Sequence, residues 1–110
     1  MKLNFEIEPV KFEDDEKDTI TVCDESEAEF FGVYNRLDNG MAMHVTDFET
    51  KVMAENFVKL PIIYENLTTL YKNSHKHIDA YDLLNLSESI SAIHNILKNI
   101  DIQSKRFLDA

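Results

Sequence analysis

The 110-residue chain predicts an α+β fold in a single domain spanning 1–110: about four antiparallel strands in the N-terminal half, followed by two helices packed on the sheet. Three observations carry this reading. Strict alternation opens the chain, with Leu3, Phe5 and Ile7 set against Asn4, Glu6 and Glu8. A tight Asp38-Asn39-Gly40 turn separates two runs rich in aromatic and β-branched residues. After residue 50 the apolar period changes from two to between three and four, the mark of helices.

The first strand covers Lys2 to Glu8, and Pro9 ends it or leaves it at an edge. Thr19 to Cys23 is a second, with Ile20 and Val22 on one face. The charged run between them suits an exposed loop, and Asp24 to Glu29 forms a second acidic connection with room for one helical turn. Phe30 to Arg36 and Met41 to Phe48 make a hairpin. A three-residue loop with Gly40 left-handed in a bulge aligns Phe31, Val33 and Leu37 with Met41, Met43 and Val45, whereas a two-residue loop would mix apolar with polar positions. The opposite face then carries Phe30, Tyr34, Arg36, Ala42, His44, Thr46 and Phe48.

Thr50 or Asp47 caps the first helix, whose stripe is Met53, Phe57, Leu60, Tyr64, Leu67 and Tyr71. Pro61 falls inside this pattern, which predicts a kink or short break. Residues 73–80 form a polar connection. The second helix carries Leu86, Ile90, Ile93, Leu97, Ile100 and Phe107, with Ser87 and Ser91, or Asn85 and Glu88, setting its start.

Charge bounds the function. Twenty-one acids against 11 bases give a net charge of −10. Residues 1–29 hold eleven acids and three bases, a net of −8, and residues 30–110 hold ten and eight, a net of −2. Such a field repels nucleic acid and anionic membrane and favours partners with basic surfaces. Cys23 is the sole cysteine, so neither an internal disulfide nor a cysteine-based zinc site can form. The N-terminus alternates where a signal peptide needs an apolar run, which predicts a cytoplasmic protein with no membrane partner.

No glycine-rich phosphate loop or nucleophile elbow occurs, and two glycines cannot build the longer motifs. Asp24 beside Cys23 disfavours a reactive thiolate. His75, His77, Asp79 and Asp82 have residue types suited to a metal, set against a plain solvated loop around Lys76. The expectation is no metal, no cofactor and no catalytic residue. Two surfaces remain as partner-binding candidates. One is acidic: Glu13, Asp14, Asp15, Glu16, Asp18, Asp24, Glu25, Glu27 and Glu29. The other is the outer hairpin face with Phe30, Tyr34, Arg36 and His44, residue types common in binding hot spots. The helical stripes, over 50–72 and 86–107, offer a third surface for a homodimer.

The stretch "FGVYNRLDNGMAMHVTDFETKVMAENFVKL" resembles a module of small phage and prophage proteins: an aromatic-x-Arg strand (Tyr34 to Arg36), a turn with Gly40, an Ala-x-His-Val-x-Asp-Phe strand (Ala42 to Phe48), and a helix start from Thr50 to Phe57. The resemblance covers about a quarter of the chain. It implies a non-enzymatic inhibitor of a host defence or nucleic-acid-handling complex, anti-CRISPR-like, whose carboxylates act as a DNA mimic. The alternative is a homo-oligomeric structural or regulatory protein without such a target.

Overall fold

The computed structural model describes residues 2–13, 19–74 and 78–109. It contains strands β1 (Phe5–Phe12), β2 (Ile20–Val22), β3 (Phe30–Arg36) and β4 (Ala42–Phe48), then helices α1 (Lys51–Val58), α2 (Leu60–Ser74) and α3 (Ala80–Asp109). A 3-10 turn, Glu25–Glu27, joins β2 to β3. All strand pairs are antiparallel, in the order β2-β1-β3-β4. The α+β class read from the sequence is the observed one.

Pro9 lies within β1, where it pairs with Phe31, so it does not end the strand. The β3-β4 turn forms as its residues require. The Leu37 amide donates to the Met41 carbonyl at 2.8 Å, and the Gly40 amide donates to the Leu37 carbonyl at 2.9 Å. Gly40 takes φ +87°, a conformation that costs residues with a Cβ about 1–2 kcal/mol. Tyr34, Asn35 and Arg36 then face His44, Met43 and Ala42.

Further along, the register shifts between Val33 and Tyr34, so Val33 faces Thr46 and Phe31 faces Phe48. Val45 is the extra residue of a β-bulge. The bulge corrects the simple alternation: Thr46 and Phe48 turn to the same side as Val33 and Phe31, and Asp47 takes the outward position. Phe48 is thereby freed for the core, where its ring meets Phe57 of α1 at 5.5 Å.

One sheet face aligns Phe5 with Asn35 and Met43, and Ile7 with Val33 and Thr46. Helix α1 covers this face. Its cap is Thr50, whose hydroxyl accepts from the Met53 amide at 3.3 Å, and Ala54 is fully buried. The chain breaks at Lys59, and Pro61 sits in the first turn of α2, where a missing N–H is harmless. The disruption predicted for Pro61 therefore falls two residues earlier.

Helices α2 and α3 pack mainly on each other. They meet the sheet through the C-terminal half of α3, where Leu97, Ile100 and Ser104 are buried. Ile100 joins Leu37 and Met43 in the core, with Leu3, Phe5, Val45 and Phe57 around it. Helix α3 begins earlier than the stripe implied, because Asp79 accepts from the Asp82 amide at 2.9 Å and caps it. The molecule is elongated, 56 × 33 × 19 Å, since only α1 among the helices lies flat on the strands.

Candidate functional site

The sheet face opposite α1 is the candidate site. Strand alternation and the Val45 bulge bring Glu6 and Glu8 of β1, Tyr34 and Arg36 of β3, and His44 and Asp47 of β4 onto it. Each cross-strand pair is defined: Glu6 with Tyr34, Glu8 with Gly32, Tyr34 with His44, and Gly32 with Asp47. Glu6, Glu8, Val22, Tyr34, Arg36 and Ala42 line a shallow groove of about 350 Å³.

Arg36 is held from two sides. Its Nε and one terminal nitrogen donate to the two Glu6 carboxylate oxygens at 3.2 and 2.7 Å, and its other terminal nitrogen donates to the Gly40 carbonyl at 2.7 Å. This fork fixes the guanidinium plane over the hairpin end. The hydrogen bond from Arg36 holds the Glu6 carboxyl below the usual glutamate range. A carboxyl depressed in the folded state stabilises above its unfolded pKa and loses that contribution as pH falls through the folded value. Acid titration of thermal stability is therefore expected to be shallower in Glu6→Gln than in the parent below the ordinary glutamate pKa, with no difference at pH 7 to 8 in its slope. Parallel slopes in both ranges would show the pair to be without effect.

His44 Nε2 lies 2.8 Å from an Asp47 oxygen, and its ring meets Tyr34 edge-on at a centroid distance of 5.5 Å. Tyr34 lies over Gly32: a Cβ added there would come within 2.9 Å of the Tyr34 ring and 3.3 Å of Asp47. Burial, followed by the charges of Asp47 and Glu8, pushes the Tyr34 hydroxyl above its normal pKa. The phenol stays protonated at neutral pH and offers a hydrogen-bond donor, not a base.

The chain matches no protein-family model, no curated protein and no solved structure. The geometry alone carries the reading.

The predicted contact residues are divided by the fold. Tyr34, Arg36 and His44 share the outer face, as expected. Phe30 is half-buried with its ring 5.3 Å from Phe12, beside the buried Val10, so much of it serves a small cluster at the end of the sheet. Glu25 pairs with Lys51 of α1 at 3.1 Å and Glu27 with Lys11 at 3.2 Å. Lys11 alternates with Pro9, Ile7 and Phe5, so these two glutamates sit toward the α1 side and apart from His44 and Tyr34. Asp24 and Glu29 are exposed. Glu13, also exposed, closes the acidic loop by donating its amide to the Thr19 carbonyl at 2.8 Å. Asp14, Asp15, Glu16 and Asp18 lie outside the described residues.

His75 and His77 also lie outside them, and Asp79 is engaged as the α3 cap. Among the described residues no group of three or more His, Cys, Asp or Glu side chains could hold a metal ion. Glu6 and Glu8 were absent from the sequence-derived surface, in which Asp38 and Asp47 extend the acidic run. Alternation marked both glutamates as solvent-facing, but only the β1-β3 register places them beside Tyr34 and Arg36. Asp47 needed the bulge. No helix among the described residues is long and apolar enough to cross a membrane.

Proposed function

We propose that the protein is a non-enzymatic binder of the phage type, which inhibits a host defence or nucleic-acid-handling complex by occupying a basic surface of it. The observation that carries the reading is the sheet face opposite α1, which no helix among the described residues covers and where Glu6, Glu8 and Asp47 surround the fixed Tyr34, Arg36 and His44. Residues 1–29, with eleven acids against three bases, carry most of the chain's negative charge. Carboxylates held by a rigid scaffold suit a site built for phosphates, and the chain's own charge disfavours direct nucleic-acid binding. Cytoplasmic action in the host follows from this proposal.

The test is affinity capture from nuclease-treated lysate of the bacterial host at low and moderate salt, followed by affinity measurement on the retained complex. Replacing Glu8 and Asp47 of the sheet face together with Asp14, Asp15, Glu16 and Asp18 by Asn or Gln is expected to weaken binding by about 10-fold or more and to flatten its salt dependence, in line with electrostatic steering. Circular dichroism should be unchanged. Equal affinity in the neutralised variant would reject the acidic decoy.

A further inference from the structure

The helical hairpin carries a surface that the fold leaves uncovered. All the buried residues of α3 lie at or beyond Leu97, so its first 17 residues, Ala80 to Ile96, contribute none. None of the described residues of α2 is buried either. The radius of gyration is 17.3 Å, against about 13 Å for a compact chain of this length. Two helices standing away from the sheet cannot enclose their own apolar stripes, because each needs neighbours on more than one side.

The two flanks of the α2-α3 seam differ. One is polar: Thr68, Lys72, Ser87 and Ser91 line a groove there with Tyr71 and Ile90. Glu65 and Lys72, the two charged residues of α2, line the adjoining groove with Thr68 and Thr69. Helical periodicity puts Ile63, Leu67 and Leu70 of α2 on the opposite flank, beside Ile93 and Ile96 of α3. Ile63, Leu70 and Ile96 are 37, 44 and 42% exposed. The charged residues between Leu83 and Ile100, Glu88 and Lys98, stand at none of the three-, four- or seven-residue spacings from Ile93 and Ile96. Between Leu83 and Ile100 this flank therefore carries no charge, and Asp82, on the same face in the first turn of α3, bounds it at that end.

We infer that this flank binds a second copy of the chain, so that two hairpins form a four-helix bundle about a two-fold axis. Charge favours this occupant. Residues 60–110 hold six acids and five bases, a net of −1, while residues 1–59 hold fifteen and six, a net of −9. Copies joined through the near-neutral hairpins in antiparallel fashion keep their acidic sheets at opposite ends. Depletion of charge at its centre is a property of protein–protein interfaces. The sequence assigned 50–72 and 86–107 to this role; α1 is committed to the sheet through Ala54 and Phe57, so the surface belongs to α2 and the first half of α3.

Sedimentation equilibrium of the full chain from 1 to 100 µM tests the inference. The expected mass is twice 12.8 kDa, and Leu70→Glu with Ile96→Glu is expected to return a monomer of unchanged far-ultraviolet dichroism. Ile62→Glu, at a 62% exposed position on the back of α2, should leave the dimer intact. Should the double variant lose its helical signal, a cysteine at Leu70 in a Cys23→Ser background gives the second reading: oxidation should form a cross-linked dimer, and a cysteine at Ile62 should not. A monomeric parent at 100 µM, or a dimer insensitive to both flanking substitutions, overturns the proposal. Because no host partner enters these measurements, their failure leaves the acidic-binder reading standing.

Discussion

Phe57→Ala is expected to be the most destabilising single substitution in this protein, at about 3 kcal/mol or more. Phe57 joins strands at opposite positions of the sheet to α1. Its ring lies 5.7 Å from that of Phe5 and 5.5 Å from that of Phe48, at interplanar angles of 51° and 48°. These tilted contacts add to the area the ring removes from water. Truncation opens a cavity beneath α1 and takes away the link between β1 and β4. At roughly 4–8 °C per kcal/mol the melting temperature should fall by about 12 °C or more, while Phe57→Leu should cost clearly less. Chemical denaturation of the two variants decides it; a loss below about 1 kcal/mol for alanine would mean that α1 is held by something else.

Asn35→Ala comes next, at about 2–3 kcal/mol, for a different reason. Asn35 is 2% exposed on the apolar face of β3, where an amide is costly unless paired. Its oxygen accepts from the Asn4 amide at 2.8 Å, and its nitrogen donates to Ser104 at 2.9 Å. Ser104 in turn donates to the Ile100 carbonyl at 2.8 Å. One side chain thus ties the N-terminal segment, the middle strand and the end of α3 together, across 31 and 69 residues of sequence. Alanine strands the Asn4 amide and leaves space next to Ser104. A double-mutant cycle with Ser104→Ala should return a coupling of about 1 kcal/mol, whereas strict additivity would show the two residues to act independently.

The fold was legible where short-range chemistry decides it. The Asp38-Asn39-Gly40 turn and its loop length followed from residue types, as did the Thr50 cap and the two apolar stripes. What escaped needed long-range information. Val45 has no sequence mark of a bulge, because the extra residue is favoured by where Phe48 must go to meet Phe57. Pro61 lay in an unbroken stripe, yet a proline is tolerated at the start of a helix, so the chain broke at Lys59. Asn35 stands at an inward position, and its partner Ser104 cannot be identified without the packing of α3. The candidate site shows the same division: Tyr34, Arg36 and His44 were visible as one face of a hairpin, while Glu6, Glu8 and Asp47 joined them only through register. The acids Glu25 and Glu27 read as part of one surface because spacing carries no information about which side of the sheet a connecting turn takes.

The Val45 bulge also governs how the protein keeps company. Strand β4 ends the sheet on one side and could template growth by a second strand, as exposed edges do in aggregating proteins. An extra residue in mid-strand spoils the even ladder such growth requires, and His44 and Asp47 make that edge polar and charged. At the other edge β2 is only three residues long and pairs with Val10 to Phe12 of β1, beside which Pro9 offers no N–H to a further strand. Through its bulge, the β4 margin of the sheet is guarded against runaway polymerisation.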